Sequence, residues 1–224
     1  MNIIILANGL FPTSERVLQL FEGADRVVCC DGAFENYLRW YGQQTVRPTH
    51  SVAVVGDGDS LKPSAIECAK VMGIDYRRQV VAEQENNDLS KAVRYAVEQA
   101  SGRVANNDDV AITILGATGL REDHMLGNIS LLGYYLVEFP DIRFSMVSDY
   151  GTFLPMRGRR IFSSYAGQQV SIFSLTPMEP VSVSGLRYPI CGRCLSWLWE
   201  GTLNESLGDK FEVQGGTLVV YLKH

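Results

Sequence analysis

From Asn2 to about Tyr150, short apolar runs that stop at glycine or at an acid alternate with stretches of helical period, a pattern that predicts βα units and a parallel sheet. Ile3 to Leu6 reads as the first strand and is followed by Ala7, Asn8 and Gly9. A helix over Thr13 to Phe21 is opened by Thr13 or Ser14, with Glu15 in its first turn. Arg26 to Cys30 is a second strand that stops at Asp31-Gly32-Ala33, before a helix through Phe34, Leu38 and Tyr41. Val52 to Val55 suits a strand buried on both faces, and Pro63 then starts a helix carrying Ile66, Ala69 and Met72. Ile74 to Val81 is ambiguous. Leu89, Ala92, Val93, Ala96, Val97 and Ala100 mark one face of an amphipathic helix that begins at Asn87 or Asp88. Val110 to Leu115 is another buried strand, Met125, Ile129, Leu132 and Leu136 mark a long helix, and Ile142 to Val147 closes the series at Ser148-Asp149.

Beyond Tyr150 the pattern changes to short alternating strands with turn residues at Gly167, Pro177, Pro180 and Gly185. Pro155 and the basic stretch Met156 to Arg160 read as a connection and a solvated turn, and Phe211 to Leu222 as a hairpin across Gly215-Gly216. The expected organisation is an α/β domain over residues 1–150 with a mostly parallel sheet flanked by helices, then a smaller all-β domain over 151–224. At roughly seventy residues the second domain is small enough to need packing on the first domain or on another subunit.

The polar residues that follow the strands carry the candidate chemistry. Asn8, Asp31, Asp57, Asp59, Arg121 and Asp149 all come after strand carboxyl ends, which share one edge in a parallel sheet and are where open α/β sheets bind ligands. Independent surface turns would not line up in this way, so a common site is expected. In VVGDGDS, Gly56 and Gly58 free the backbone while Asp57 and Asp59 emerge two residues apart, either as a solvated helix-capping turn or as oxygen ligands for a hard cation such as Mg²⁺. Asp88 is either a first-turn carboxylate or a third ligand, and Lys91, one turn on, meets a phosphate or only its helical neighbour. In GATGLREDH, Gly116 and Gly119 allow close backbone approach to a ligand, and Arg121 and Asp123 project beside them as site residues or as a local ion pair. Trp197 and Trp199 would share one face of a strand, either as core or as a platform for a flat cationic heterocycle. Asn204 and Glu205 just beyond are turn residues or hydrogen-bonding partners of that heterocycle.

Composition narrows the function classes. The 224 residues are 46% hydrophobic with a net charge of -5, which leaves no basic footprint for nucleic acid or an anionic membrane surface. A polyanionic substrate would therefore need locally placed cations or metal. No apolar run approaches a membrane span and the first residues lack a basic leader, so a cytoplasmic location is expected. Cys191 and Cys194 form a CxxC without a second pair or a histidine at ligand spacing, and the role of the pair stays open. No Walker A sequence and no GxGxxG opening a first βα unit are present, which argues against P-loop and dinucleotide enzymes.

Four elements together, CCDGA at Cys29 to Ala33, GDGDS at Gly56 to Ser60, QENNDLSKA at Gln84 to Ala92 and GATGLREDH with the following LGNISLL, resemble thiamine pyrophosphokinases in order and spacing. GLRYPI at Gly185 to Ile190 and GTLNE at Gly201 to Glu205 look like that family's thiamine-binding region, although the family often has a longer run at the second motif. The resemblance implies a C-terminal β-sandwich, a homodimer with active sites between subunits, and pyrophosphoryl transfer from ATP to thiamine, giving thiamine diphosphate and AMP. It further implies that Asp57, Asp59 and Asp88 hold Mg²⁺, that Gln84 and Lys91 lie beside the polyphosphate, and that Arg121 and Asp123 complete the nucleotide side. Asp31 and the Gly116 to Gly119 loop, with Thr118 and Gly119, would help to bind ATP, and Trp197, Trp199, Asn204 and Glu205 would serve thiamine. Asp123 and Asp59 are both candidates to accept the hydroxyl proton. A sensor that binds thiamine or nucleotide without turnover is the reading from another class, but it has no need of several metal ligands at the phosphates.

Overall fold

The computed structural model describes residues 1–56, 61–74, 76–80, 87–100 and 110–224. The chain divides into two compact units, one of residues 1–125, 141–143 and 147–149, the other of 126–140, 144–146 and 150–224.

In the first unit, β1 (Asn2–Leu6), β2 (Arg26–Cys30), β3 (Ser51–Gly56), β4 (Tyr76–Val80) and β5 (Ala111–Leu115) form a parallel sheet in the order β5-β1-β2-β3-β4. The ambiguous stretch after Ile74 is thus a strand, β4, pairing with β3. Helices α1 (Glu15–Glu22), α2 (Ala33–Gly42) and α3 (Pro63–Met72) cover one face of the sheet. There Ile4, Leu6, Val27, Cys29, Val52 and Val54 pack with Val17, Phe21, Phe34, Tyr37, Trp40 and Ala69 in one buried cluster. Alternate strand residues face the other way. On that side lies α4 (Asp88–Ala100), whose buried stripe is Leu89, Ala92, Val93, Ala96 and Ala100, as its 3.6-residue period requires. Burial on both faces is why β1, β2 and β3 read as nearly unbroken apolar runs.

The start of α1 corrects one expectation. Ser14 occupies the N-cap position but makes no side-chain cap hydrogen bond. The cap is supplied from 135 residues away in sequence, where the Asp149 carboxylate accepts from the Ser14 N–H at 3.0 Å, the Thr13 N–H at 2.9 Å and the Thr13 hydroxyl at 2.8 Å. Burial pushes the Asp149 pKa up, but these hydrogen bonds outweigh it and hold the carboxyl below its usual value. A depressed folded pKa contributes stability above the unfolded value, near 4, that is lost as pH falls through the folded one. Asp149→Asn is therefore expected to lower stability by about 1–2 kcal/mol at pH 7. Urea unfolding as a function of pH checks this, and the gap between wild type and variant should close in acid.

The second unit contains α5 (Glu122–Glu138) from Leu126 onward, a segment of β6 (Arg143–Ser148), and six further strands: β7 (Gly151–Ser163), β8 (Gln169–Ser174), β9 (Pro180–Ser184), β10 (Ile190–Cys194), β11 (Asn204–Glu205) and β12 (Lys210–Lys223). β12 pairs with β7 along its length, and its other edge meets β9 over Glu212 to Gln214 and β8 over Leu218 to Leu222. The β-strands fold over a core of Met156, Phe162, Val170, Ile172, Val181, Val183, Phe211, Val213, Leu218 and Val220.

Two expectations are overturned here. Met156 to Arg160 is not a connection but the middle of β7, and Phe211 to Leu222 is not a hairpin but one strand. The glycines that suggested turns sit at a bulge instead, because Gly158 pairs with Gly215 and the register then shifts before Leu218. Gly158 has φ +77, and a Cβ on Gly216 would lie 2.6 Å from the Glu179 carboxyl carbon, so both positions call for glycine. The arginines are ordinary strand side chains with partners across the sheet, as in the Arg159–Glu212 ion pair at 2.8 Å.

Candidate active site

Strand order reverses at β1. The chain steps from β1 through β4 to one side, and β5 then returns to the other side of β1. Such a switch point is where an open α/β sheet binds ligands, beyond the carboxyl ends of its strands. Here the β1–β5 ladder runs on past the strands: the Ala7 N–H donates to Leu115 O at 2.8 Å, Gly9 N–H to Gly116 O at 2.7 Å, and Leu10 N–H to Thr118 O at 3.0 Å. Gly116, at φ +65, comes so near that a Cβ would sit 2.5 Å from the Ala7 carbonyl oxygen. The loop containing Thr118 and Gly119 is therefore held backbone-first at the switch point, with Gly119 exposed to solvent.

On the other side of β1, the β2 end is organised by Asp31. Its backbone has φ 28, its N–H donates to Val55 O at 3.1 Å, and the residue is only 3% exposed. Its carboxyl lies over Gly56, where a Cβ would be 2.5 Å from the Asp31 carboxyl carbon. Gly56 is thus required by its neighbour. Asp57 and Asp59, which follow it, and Gln84 lie outside the described residues.

Asn87 caps α4, its Oδ1 accepting the Ser90 N–H at 2.9 Å. The Asp88 carboxylate is consequently not needed for the cap. It is 37% exposed and lies 3.3 Å from Nζ of Lys91, whose side chain is only 5% exposed. Beneath them the Cys30 thiol donates to the Asp88 carbonyl at 3.7 Å. Burial first, then the negative charges of Asp88 and Asp31, push the Cys30 thiol far above its ordinary pKa. Asp31 follows Cys30 directly in the chain and the Cys30 thiol touches the Asp88 carbonyl, which brings the β2 end and the start of α4 into one patch. Its donor chemistry, carboxylate oxygens with one buried ammonium, suits a hard divalent cation and phosphate oxygens. Among the described residues there is no complete cluster of three metal-ligating side chains. Asp149, by contrast, belongs to the α1 cap and not to this patch.

Arg121 and Asp123 pair with each other. Nε donates to one carboxylate oxygen at 3.1 Å and an Nη to the other at 2.6 Å, with both side chains nearly two-thirds exposed. The Arg121 hydrogen bonds hold the Asp123 carboxyl down at about 2. Among the described residues no hydrogen bond or ion pair joins this fork to Asp31, Asp88 or Lys91.

In the second unit the tryptophan expectation is overturned. β10 ends at Cys194, and Trp197 and Trp199 lie in a turn, each about 70% exposed, closed by the Trp197 N–H on Glu200 Oε2 at 2.8 Å. They form no strand ladder. Asn204 is buried at 5%, with its amide accepting from the Tyr188 N–H at 3.0 Å and donating to the Tyr188 carbonyl at 2.7 Å. Glu205 reaches Arg187 at 3.5 Å. GLRYPI and GTLNE are thereby one built element, tied also by Arg187 N–H to Glu205 O and Leu207 N–H to Gly185 O. Arg187 and Tyr188 were not singled out from the sequence, because only the pairing across the two motifs reveals them.

Residues 17–144 match the family described as thiamin pyrophosphokinase, catalytic domain, and residues 151–221 match thiamin pyrophosphokinase, substrate-binding domain. The chain belongs to the thiamin pyrophosphokinase family. Among family members, Thiamine pyrophosphokinase 3 of Oryza sativa subsp. japonica is 32% identical over 142 residues, covering 58% of this chain and 49% of that protein. Thiamine pyrophosphokinase 1 of the same plant is 32% identical over 96 residues, 43% of this chain and 34% of that protein. The chain thus spans about half or less of the curated relatives it matches. The fold is that of thiamin pyrophosphokinase structures from Candida albicans (TM-score 0.79, 16% identity, 99% of this chain and 88% of that one) and Bacillus subtilis (TM-score 0.74, 20% identity, 100% and 99%). All nucleotide-side candidates, Asp31 to Asp123, fall within the match to the family's catalytic domain. Trp197, Trp199, Asn204 and Glu205 fall within the match to its substrate-binding domain.

Proposed function

We propose that this protein transfers the pyrophosphoryl group of ATP to the hydroxyl of thiamine, giving thiamine diphosphate and AMP, with Mg²⁺ required. The observation that carries the reading is the patch of Asp31, Asp88 and buried Lys91 at the sheet edge where β3 ends at Gly56, the residue that precedes Asp57 in the sequence, in a chain of this family. In the reaction the hydroxyl oxygen forms a bond to the β-phosphorus as its proton passes to a carboxylate, Asp59 or Asp123, the bond from that phosphorus to the α–β bridging oxygen breaks, and AMP leaves with the electron pair. The protein contributes alignment and charge neutralisation more than covalent chemistry.

Asp57, Asp59 and Asp88 would hold the metal, which would supply charge neutralisation at the phosphates. Lys91 presents a cation that burial keeps from wandering, with Gln84 beside the same polyphosphate. The backbone of Thr118 and Gly119 meets the nucleotide at the switch point, with Asp31 close by. Arg121 exchanges its Asp123 partner for phosphate oxygen, which frees the Asp123 carboxylate. Trp197 and Trp199 offer exposed aromatic faces to the cationic thiazolium, and Asn204 and Glu205 hold that region in shape. We also propose a homodimer, since the small β unit leaves these tryptophans uncovered.

Incubation with ATP, Mg²⁺ and thiamine, with nucleotides and thiamine esters resolved by chromatography, tests the reaction. Equimolar AMP and thiamine diphosphate are expected, and none of either when thiamine is omitted or the metal chelated. ADP as co-product, or AMP without thiamine diphosphate, would overturn the proposal.

A further inference from the structure

Cys191 and Cys194 are both exposed and take no part in the site above. Residues three apart on a regular strand point to opposite faces of the sheet. β10 is not regular. Ile190 pairs with Val183, Arg193 with Val181 and Cys194 with Pro180, so three steps along β10 span two along β9. The extra residue is a bulge at Cys191-Gly192, where Gly192 has φ +62 and its N–H donates to Ser182 Oγ at 3.0 Å.

The bulge changes which faces the thiols share. Cys191 lies at the level of Ser182 and Cys194 opposite Pro180, two levels along the same side of β9. That side is the outer one. Val181, Val183 and Val213 belong to the buried core, whereas Ser182, Ser184, Glu212 and Gln214, with the edges of Val183 and Ile190, line a concavity of about 320 Å³ that includes Cys191 but not Cys194. Two levels along a strand, roughly 6–7 Å between backbones, is at the outer limit for a disulfide. The Cys194 thiol donates to the Met178 carbonyl at 3.5 Å, and once released from it two sulfurs at this spacing can converge on one ion, each with a metal–sulfur bond of about 2.3 Å.

We infer that Cys191 and Cys194, brought onto one face by the bulge at Gly192, form a two-thiolate chelating site for a soft divalent cation. Each thiol gives up its proton as its sulfur bonds the ion, and solvent completes the coordination shell. Among the described residues no third cysteine, histidine or carboxylate joins them, which makes the site open rather than structural. Thiolates select soft cations and carboxylate sets select hard ones, so this site and the Mg²⁺ site do not compete.

The test is titration of the reduced full chain with Cd²⁺ alone, read by ultraviolet sulfur-to-metal charge transfer and by proton release. One ion with two protons released per chain is expected, undiminished by excess Mg²⁺. Cys191→Ser and Cys194→Ser should each weaken binding about 100-fold or more by removing the chelate, whereas Cys68→Ser should leave it unchanged. Circular dichroism verifies that each variant is folded. A band that survives either serine variant, or oxidation to an intrachain disulfide with no cadmium band from the reduced chain, would overturn the inference.

Discussion

Replacing Asp88 with asparagine is expected to lower turnover about 10²–10³-fold while the protein remains folded, because the loss falls on charge stabilisation at the transferring phosphates. The helix cap and core make no use of this carboxylate, whose ion-pair partner is the buried Lys91 ammonium. Asn87 makes the cap, and the helix face that packs is Leu89, Ala92, Val93 and Ala96. Loss of a negative charge from the first turn of α4 costs about 0.3–1 kcal/mol, and asparagine keeps an oxygen within reach of Lys91. The proposed chemistry has a large call on it. A neutral amide oxygen is a weaker ligand for a hard cation than a carboxylate, so the Mg²⁺ concentration for half-maximal rate should rise as well. Steady-state kinetics across a Mg²⁺ series, with urea unfolding in parallel, separates the two effects. Activity within threefold of wild type would remove Asp88 from the metal set and leave it a helix-terminus residue.

How much of this was legible in the sequence depends on the range of the interaction. The α4 face and the strands β1, β2, β3 and β5 follow from local period and apolar runs, and each lies where its pattern put it. The long strands β7 and β12 did not, since Pro155, Gly158 and Gly215-Gly216 carry a turn signature that pairing across the sheet absorbs into a bulge. At α1 the N-cap position was legible but its hydrogen-bonding partner was not. Ser14 is the local candidate, and the group that does the work, Asp149, is distant in sequence. Within the candidate site, Asp88 and Lys91 pair across one helical turn, and Cys30, next to Asp31 in the chain, touches the Asp88 carbonyl. Arg121 and Asp123 instead take each other as partners, the shortest-range choice available to a cation and an anion two residues apart. The tryptophans failed as a strand pair because Glu200 closes a turn around them, a contact that alternation cannot register.

Gly116→Ala is expected to destabilise the first unit by about 2–4 kcal/mol, the largest stability effect of any single methyl group considered for it. Two costs add. A side chain at φ +65 costs about 1–2 kcal/mol in the left-handed region, and the new Cβ would sit 2.5 Å from the Ala7 carbonyl oxygen. That oxygen is backbone and cannot rotate away, so the loops after β1 and β5 must part. Parting them stretches the Gly9–Gly116 and Leu10–Thr118 hydrogen bonds, at 2.7 and 3.0 Å, which hold the Thr118–Gly119 backbone at the switch point. ATP affinity should fall with stability for that reason. Gly127→Ala is the matched comparison: it lies within α5, with nothing within 4 Å of a new Cβ, and should stabilise by about 0.5–1 kcal/mol through helix propensity. Urea midpoints for the two variants should therefore move in opposite directions. A Gly116→Ala midpoint equal to wild type would mean that the two loops separate without cost, and that the ladder beyond the strands does not hold the phosphate-side backbone in place.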